Sequence, residues 1–395
     1  MAGLSVIVAG GGIGGLSAAL ALAQRGSSVR VFERRAEPGE AGAGIQIGPN
    51  GTRILADLGV ADRLSSLVSA PAELIVRDGR TGSRLAALPL GSWLQARHGA
   101  PYWTTHRADL HDALRATVAS VPGIEFYHGA GVDGFASTAA EVSVLMADGR
   151  VERADLLVIA DGVHSRLRAR FGNAGPPHFA GRTAARAVVP AASVPSGIGL
   201  DDVGIWLAPS GHVVHYPVRA GRELALVVIT KAQDGSASQP EAWATPVVAA
   251  DIAAAVSRFP APVRAVAAAA SGWKRWSLVE LPRLPNWVDG RAALLGDAAH
   301  PVLPFLASGA VLAIEDAVTL AGELAGSTSI EAALASYQAR RQPRVAKVQA
   351  GARRNGTLYH AAGPLALARD ATMRLVPPQR LMRSYDWLYG WRTGA

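Results

Sequence analysis

Short apolar runs, each closed by glycine or a single acid, alternate along this chain with Ala/Leu-rich stretches of helical length. The run Leu4–Ala9 reads as a buried strand that feeds directly into Gly10–Gly15. A helical stretch, Leu16–Arg25, follows, stops at Gly26 and gives way to a second strand, Val29–Phe32, closed by Glu33. The buried-strand pattern recurs at Ala154–Ile159 before Asp161-Gly162, and at Ala292–Leu295 before Gly296-Asp297. A helix is expected to open at Trp103–Leu110 and run to about Ala119. Between the last two motifs the period changes. The segments GIWLAPS, GHVVHYPV and ELALVVIT, within Val203–Thr230, alternate as strands, with turns at Pro209-Ser210-Gly211 and Ala220-Gly221. The C-terminal part predicts helices over Val311–Ala325, Ile330–Arg341, Pro343 to about Tyr359, and Leu365–Arg374, with Pro343 beginning or kinking the third. An aromatic tail follows: Tyr385, Trp387, Tyr389 and Trp391. Such a cluster seldom stays exposed, so it should pack over the body, close a pocket or meet a second subunit.

The G-x-G-x-x-G frame falls on Gly10, Gly12 and Gly15, in the order strand, glycines, helix, strand, acid. Gly10 permits the tight turn, Gly12 lets backbone N–H groups approach a pyrophosphate, and Gly15 allows close helix–sheet packing. The helix N-terminus then faces the phosphates, and Glu33 is placed for a ribose diol. Together these predict a dinucleotide site. The glycine-rich loop Gly42–Asn50 suits close approach to a planar ligand, and equally an ordinary surface loop.

Composition narrows the chemistry. The 395 residues are 49% hydrophobic and 18% charged, enough for a packed core rather than disorder. With no cysteine, disulfides, iron–sulfur clusters, thiol nucleophiles and redox dithiols are all excluded, and with them a disulfide reductase. No H-E-x-x-H spacing points to a metal, and none is expected. The net charge of +8 is almost entirely arginine, scattered and without an aromatic-interleaved stripe, so no nucleic-acid partner is expected. A positive field favours anionic ligands. Neither a signal peptide nor a membrane span is read, and a cytoplasmic protein is expected.

Three motifs stand in order: GGGIGG at Gly10–Gly15, DLLVIADGVHSRLR at Asp155–Arg168, and LLGDAAHPVLPFLASGAVLAIEDA at Leu294–Ala317. With GAGIQIGPN, THRADL and the tail SYDWLYGW, the chain resembles the FAD-dependent aromatic hydroxylases. These are single-component flavoprotein monooxygenases of the salicylate hydroxylase, 3-hydroxybenzoate 6-hydroxylase and 6-hydroxynicotinate 3-monooxygenase kind. The resemblance implies an α/β fold like that of para-hydroxybenzoate hydroxylase: a Rossmann-like FAD-binding body, an inserted β-sheet substrate domain and a helical C-terminal region. The expected division is residues 1–175 (with a substrate-side excursion at about 70–100) and 286–325 for the body, 176–285 for the substrate domain, and 326–395 for the C-terminal helices and tail.

The resemblance also implies FAD as cofactor, NADH or NADPH as a transient reductant, O2 as co-substrate, and hydroxylation of a phenolic acid or hydroxypyridine through a flavin C4a-hydroperoxide. A flavin oxidase or dehydrogenase without oxygen insertion is the alternative. A non-catalytic flavin-binding module is less well supported, because the Asp161 and Asp297 motifs are retained. A monomer or homodimer is expected. Carried over onto this sequence, Gly10, Gly12, Ile13, Gly14, Gly15, Glu33 and Arg34 would hold the ADP half of FAD. Arg107 would reach the flavin-side phosphates or ribityl chain, Asp161 would serve FAD and NAD(P)H, and Asp297 would take a ribityl hydroxyl. Gly309, Ala310 and Val311 would meet the isoalloxazine edge. His212 and Tyr216, which share one strand face, would line the substrate pocket, with His212 accepting or relaying a phenol proton. Gln46 would contact substrate or the flavin pyrimidine edge, and Pro304 would contact substrate. His215, on the other face, and His300, His106 and His164, inside turns, are expected to be structural. Two departures are noted: Ile159 where the family commonly has glycine, and Ala185 where it usually has tryptophan, predicting an unusual pocket there.

Overall fold

The computed structural model describes residues 3–37, 44–172, 175–232 and 244–394. Gly42 and Ala43 of the glycine-rich loop lie outside them.

The first sheet has six strands in the order Val288–Asp289, Ala292–Leu294, Leu156–Ile159, Ser5–Ala9, Ser28–Glu33, Ile124–His128. The five from Ala292–Leu294 onward are parallel. Val6, Ile7, Val8, Leu156, Leu157, Val158 and Ile159 are fully buried, as continuous apolar runs in a sheet covered on both faces should be. Helix Ile13–Ala23 packs on this sheet and against helix Gly309–Gly326. The contact is close because Gly14 carries no side chain: a Cβ there would stand 2.9 Å from Leu295 and 3.2 Å from Ala313. The first helix begins at Ile13, three residues before the Ala/Leu run, since Gly12 is its extended N-cap.

The second sheet has eight strands: Thr245–Pro246, Ser271–Glu280, His178–Pro190, Glu223–Lys231, Gly211–Val218, Val203–Ala208, Glu73–Asp78, Arg84–Pro89. The 70–100 segment therefore contributes two strands to the sheet built mainly from 178–280. One face of this sheet, carrying Ala184, Val227, Ile229 and Tyr216, packs toward Leu303, Phe305 and the C-terminal helices. The other face, with Ala185, Ala187, Trp206, Val213 and Val228, packs on the two short helices Ala249–Val256 and Ala261–Ala269.

The C-terminal region differs from the pattern at one point. Residues Ile330–Tyr359 form a single helix that runs through Pro343. Proline removes one backbone hydrogen bond, but residues on both sides of it are anchored: Arg341 and Arg344 bind Glu315 and Asp316 of the preceding helix. Tertiary ion pairs outweigh the local break. A further helix spans Gly363–Leu375, two short ones follow at Pro378–Arg383 and Asp386–Tyr389, and the aromatic tail packs over the body, with Arg341 over Trp391, and Arg344 and Lys347 over Trp387.

Candidate active site

The dinucleotide cradle is built where the first strand ends. Gly10 has φ +110°, and a Cβ there would lie 2.4 Å from the Ala160 carbonyl oxygen, so only glycine fits the crossing of the two strand ends. A Cβ on Gly15 would stand 1.9 Å from the Gly10 carbonyl oxygen. Gly12 is different: its Cβ would meet nothing within 4 Å. The space beside it, in front of the helix N-terminus, is open, and the first-turn amides have no partner in the helix. Glu33 closes the cradle, accepting the Gly11 N–H at 2.8 Å and the Arg35 N–H at 2.9 Å. His111 Nε2 lies 2.8 Å from the Gly11 carbonyl oxygen, a brace from the Arg107–Ala119 helix that the sequence pattern did not single out.

Asp161 sits at the adjoining strand end. Burial, only partly offset by a Ser165 hydrogen bond and the Arg34 charge, pushes its pKa up to about 6. Its Oδ1 is buried without a hydrogen-bond partner. An open anion-binding helix end, a carboxylate at the second strand and an orphaned acceptor at the third fit the ADP side of FAD. Arg34 is exposed beside them. Asp297 stands exposed on the short helical turn Gly296–Ala298, and Gly309, Ala310 and Val311 open helix Gly309–Gly326. That turn is fixed from below: Asp316 Oδ2 accepts the Gly296 N–H at 3.0 Å and pairs with His300 Nε2 at 2.6 Å. His300 is thus a loop-ordering residue, and His106 likewise caps its helix by accepting the Ala108 N–H.

On the substrate sheet, His212 and Tyr216 share the face turned toward the C-terminal helices, and both are buried. His215 faces the opposite way, 6.4 Å from the Trp206 ring and tight against Gly204. Burial lowers its pKa to about 4, with Arg77 adding to the effect. Tyr216 abuts Gly44, where a Cβ would come within 2.4 Å of the ring. Its phenol is pushed up to about 12 by burial, against the opposing Arg186 charge and a Gln46 hydrogen bond. Gln46 also accepts the Tyr102 hydroxyl. His212 lies at the other end, its ring 5.7 Å from Phe305, beside Pro304, and 5.2 Å from Tyr359. Four residues along a strand separate His212 from Tyr216 by roughly 13 Å of backbone. The two side chains therefore mark separate points on that face and do not converge on one atom.

The long strand His178–Pro190 corrects one expectation. Ala185 lies on the face away from His212 and Tyr216, and its neighbour Arg186 lies on theirs. Arg186 pairs in register with Val227 and through it with Val214, between His212 and Tyr216. It lies deep enough for burial to lower its pKa, with Tyr216 opposing and Arg107 adding to the shift, yet it keeps accessible surface. Its guanidinium lies 5.2 Å over Trp276 and its Nε is buried without a hydrogen-bond partner. Arg186, Tyr102 and His360, which bonds His212, were all missed by motif and period. The aromatic tail completes the enclosure: Tyr389 packs on Gly48 and lies 6.1 Å from Tyr102.

A dinucleotide cradle at the carboxyl end of a parallel sheet, beside a second, largely antiparallel sheet whose covered face carries His212 and Tyr216, has the architecture of a flavoprotein aromatic hydroxylase. Residues 3–352 match the FAD binding domain family, and the chain belongs to that family. It is 36% identical over 390 residues to 3-hydroxybenzoate 6-hydroxylase 1 of Aquipseudomonas alcaligenes, covering 98% of each chain. It is 38% identical over 397 residues to a 3-amino-4-hydroxybenzoate 2-monooxygenase of Streptomyces platensis, covering 98% of this chain and 96% of the relative. Klebsiella pneumoniae HpxO, solved with FAD and uric acid, superposes with a TM-score of 0.85 at 29% identity over 96% of this chain and 95% of that one. The protein is an FAD-dependent, NAD(P)H-consuming monooxygenase of small aromatic molecules, with the para-hydroxybenzoate hydroxylase-like fold. No helix among the described residues is long and apolar enough to cross a membrane, and no cluster there could hold a metal ion.

Proposed function

We propose that the substrate is a phenolic aromatic acid of the hydroxybenzoate class, held with its carboxylate toward Arg186, Tyr216 and Gln46 and its hydroxyl toward His212. The observation that carries this reading is the buried, unpartnered Arg186 Nε on the pocket face of the sheet. A guanidinium nitrogen buried without a hydrogen-bond partner costs free energy that an anionic ligand recovers. The hydroxybenzoate activities named for two relatives support the same class.

FAD, when bound, supplies the activated oxygen that enters the ring; the protein supplies position, protonation and dryness. Gly10–Gly15 and Glu33 would hold the ADP half, Arg107 and Asp297 the phosphate and ribityl side, and Gly309–Val311 the ring edge. Asp161 would serve both FAD and a visiting NADH or NADPH. His212 takes the proton from the substrate hydroxyl, which enriches the ring for electrophilic attack. Burial lowers the His212 pKa well below the usual histidine value, reinforced by His360 and Arg182, so the ring is neutral and able to accept. Tyr102, Phe305, Tyr359 and Tyr389 form an apolar wall that keeps water out. The enzyme acts in the cytoplasm as a monomer or homodimer, without a nucleic-acid or membrane partner.

The test compares 3-hydroxybenzoate with phenol in substrate-stimulated NAD(P)H oxidation and product mass. The acid is expected to win in kcat/KM by about 100-fold, the worth of one charge-assisted pair of about 3 kcal/mol, and Arg186→Met to abolish the preference. Equal turnover of phenol and of the acid would overturn it.

A further inference from the structure

We infer that His360 is the proton outlet of the buried base: His212 passes the substrate proton through its Nδ1 to His360 Nε2 and from there to solvent. The inference rests on the reading of His212 as the base. Its observation is independent of that reading: the two imidazoles meet nitrogen to nitrogen at 2.8 Å, with ring centroids 5.0 Å apart. His212 is 2% exposed, so a proton delivered to it has no direct path to water. His360 follows the last residue of helix Ile330–Tyr359 and keeps accessible surface. One ring is inside and the other is at the boundary.

The proton balance is simple. Before the step, His212 carries its proton on Nδ1 and donates it to the Nε2 lone pair of His360, whose own proton is on Nδ1. The substrate O–H bond breaks as an N–H bond forms at His212 Nε2. The His212 Nδ1 proton moves to His360 Nε2, and the His360 Nδ1 proton leaves to water. Both rings end neutral with their tautomers exchanged, and one proton has moved from the phenol to solvent.

The surroundings favour this neutral exchange over storage of a proton on the pair. The charges acting most strongly on it are cationic: Arg182 from the strand His178–Pro190 acts on both rings, and Arg369 from helix Gly363–Leu375 acts on His360. Arg182 has its Nη1 buried without a hydrogen-bond partner. Arg369 is itself held by the Leu358 carbonyl and Asp370. Tyr359 packs edge-on against His212, and its phenol is pushed far above its ordinary range, so it is no competing acid or base. Burial and the two arginines lower the His360 pKa to about 4, against a hydrogen bond to the Gly356 backbone that raises it. A proton reaching the pair is therefore passed on.

Holoenzyme and 4-hydroxy-3-nitrobenzoate, an aromatic acid whose phenolate is coloured, provide the test. The probe is mixed in stopped flow at a pH where it is a phenol in solution, and appearance of bound nitrophenolate is followed over the constant flavin spectrum. Wild type is expected to ionise the probe rapidly. His360→Ala should slow ionisation by about 10- to 100-fold, a part of what a positioned acid–base group contributes. Added imidazole should restore much of the rate, because the vacated position borders solvent. His360→Gln accepts a hydrogen bond from His212 without relaying a proton, and should be as slow as the alanine variant while keeping FAD. Should His360→Gln ionise the probe at the wild-type rate, His360 only orients His212 and the outlet is wrong. If His212→Ala is slow while both His360 variants are fast, the base stands and the relay falls. If His212→Ala is as fast as wild type, the base itself is misassigned.

Discussion

Asp316 is the point at which the Gly296–Ala298 turn and the C-terminal helices are joined, and Asp316→Asn tests how much that joint carries. The carboxylate is fully buried and accepts from the Gly296 N–H at 3.0 Å, His300 Nε2 at 2.6 Å and Arg341 Nε at 2.7 Å. Burial alone raises its pKa; the charges and hydrogen bonds of His300 and Arg341 overturn this and hold it at about 2. Against an ordinary aspartate near 4, a depression of nearly two units corresponds to about 2 kcal/mol at pH 7. The substitution does more than delete that linkage term. Arg341 is 1% exposed, its Nη1 has no hydrogen-bond partner, and without Asp316 it keeps only Glu315 as counter-ion. Breaking one partner of such a buried cluster costs about 3–5 kcal/mol. Asp316→Asn should therefore lower the urea midpoint by that equivalent at unchanged slope, and loosen FAD because Gly296 loses its anchor. The sign with pH is fixed by the depressed carboxyl: its stabilisation is present above about pH 4 and is lost as pH falls toward 2, so wild type should lose in that window what the variant never had. A variant within 1 kcal/mol of wild type at pH 7 would refute the reasoning.

Gly12→Val and Gly15→Ala should separate binding from folding. The first enters open space, so the fold survives and FAD is lost on gel filtration; the second meets the Gly10 carbonyl and should lower Tm outright. Glu33→Gln should weaken FAD by about 1.5–3 kcal/mol, read as a 10- to 100-fold rise in the Kd measured by flavin fluorescence. His212→Ala should retain FAD and its reduction while product formation falls by about 10²–10⁴-fold and H2O2 release rises. His215→Ala, on the far face of the same strand, should leave coupling of NAD(P)H to product near wild type.

What the sequence made legible was local. The glycine frame, Glu33 and the two strand ends before Asp161 and Asp297 lie within short motifs whose geometry is dictated by backbone sterics. The phase of GHVVHYPV, with period-two alternation, placed His212 and Tyr216 on one face and His215 on the other. Arg186 escaped because FAGRTAARAVV has no alternation, and register irregularities interrupt its pairing with Ser271–Glu280. His360 reaches His212 across 148 residues, and only helix docking brings them together. Glu315, Asp316, Arg341 and Arg344 read as solvated helix charges in sequence. Their mutual burial, which also carries the helix through Pro343, follows from packing of two helices rather than from any local signal.

The central claim is that this FAD enzyme inserts oxygen into a hydroxybenzoate. The direct measurement is turnover of purified holoenzyme with NADH or NADPH and a panel of hydroxybenzoates under 18O2, with product mass and H2O2 recorded together. At least one hydroxybenzoate is predicted to yield a product containing one 18O atom per NAD(P)H consumed, with little peroxide. Reductant consumption that ends entirely in H2O2, with no labelled product from any hydroxybenzoate, would contradict the account.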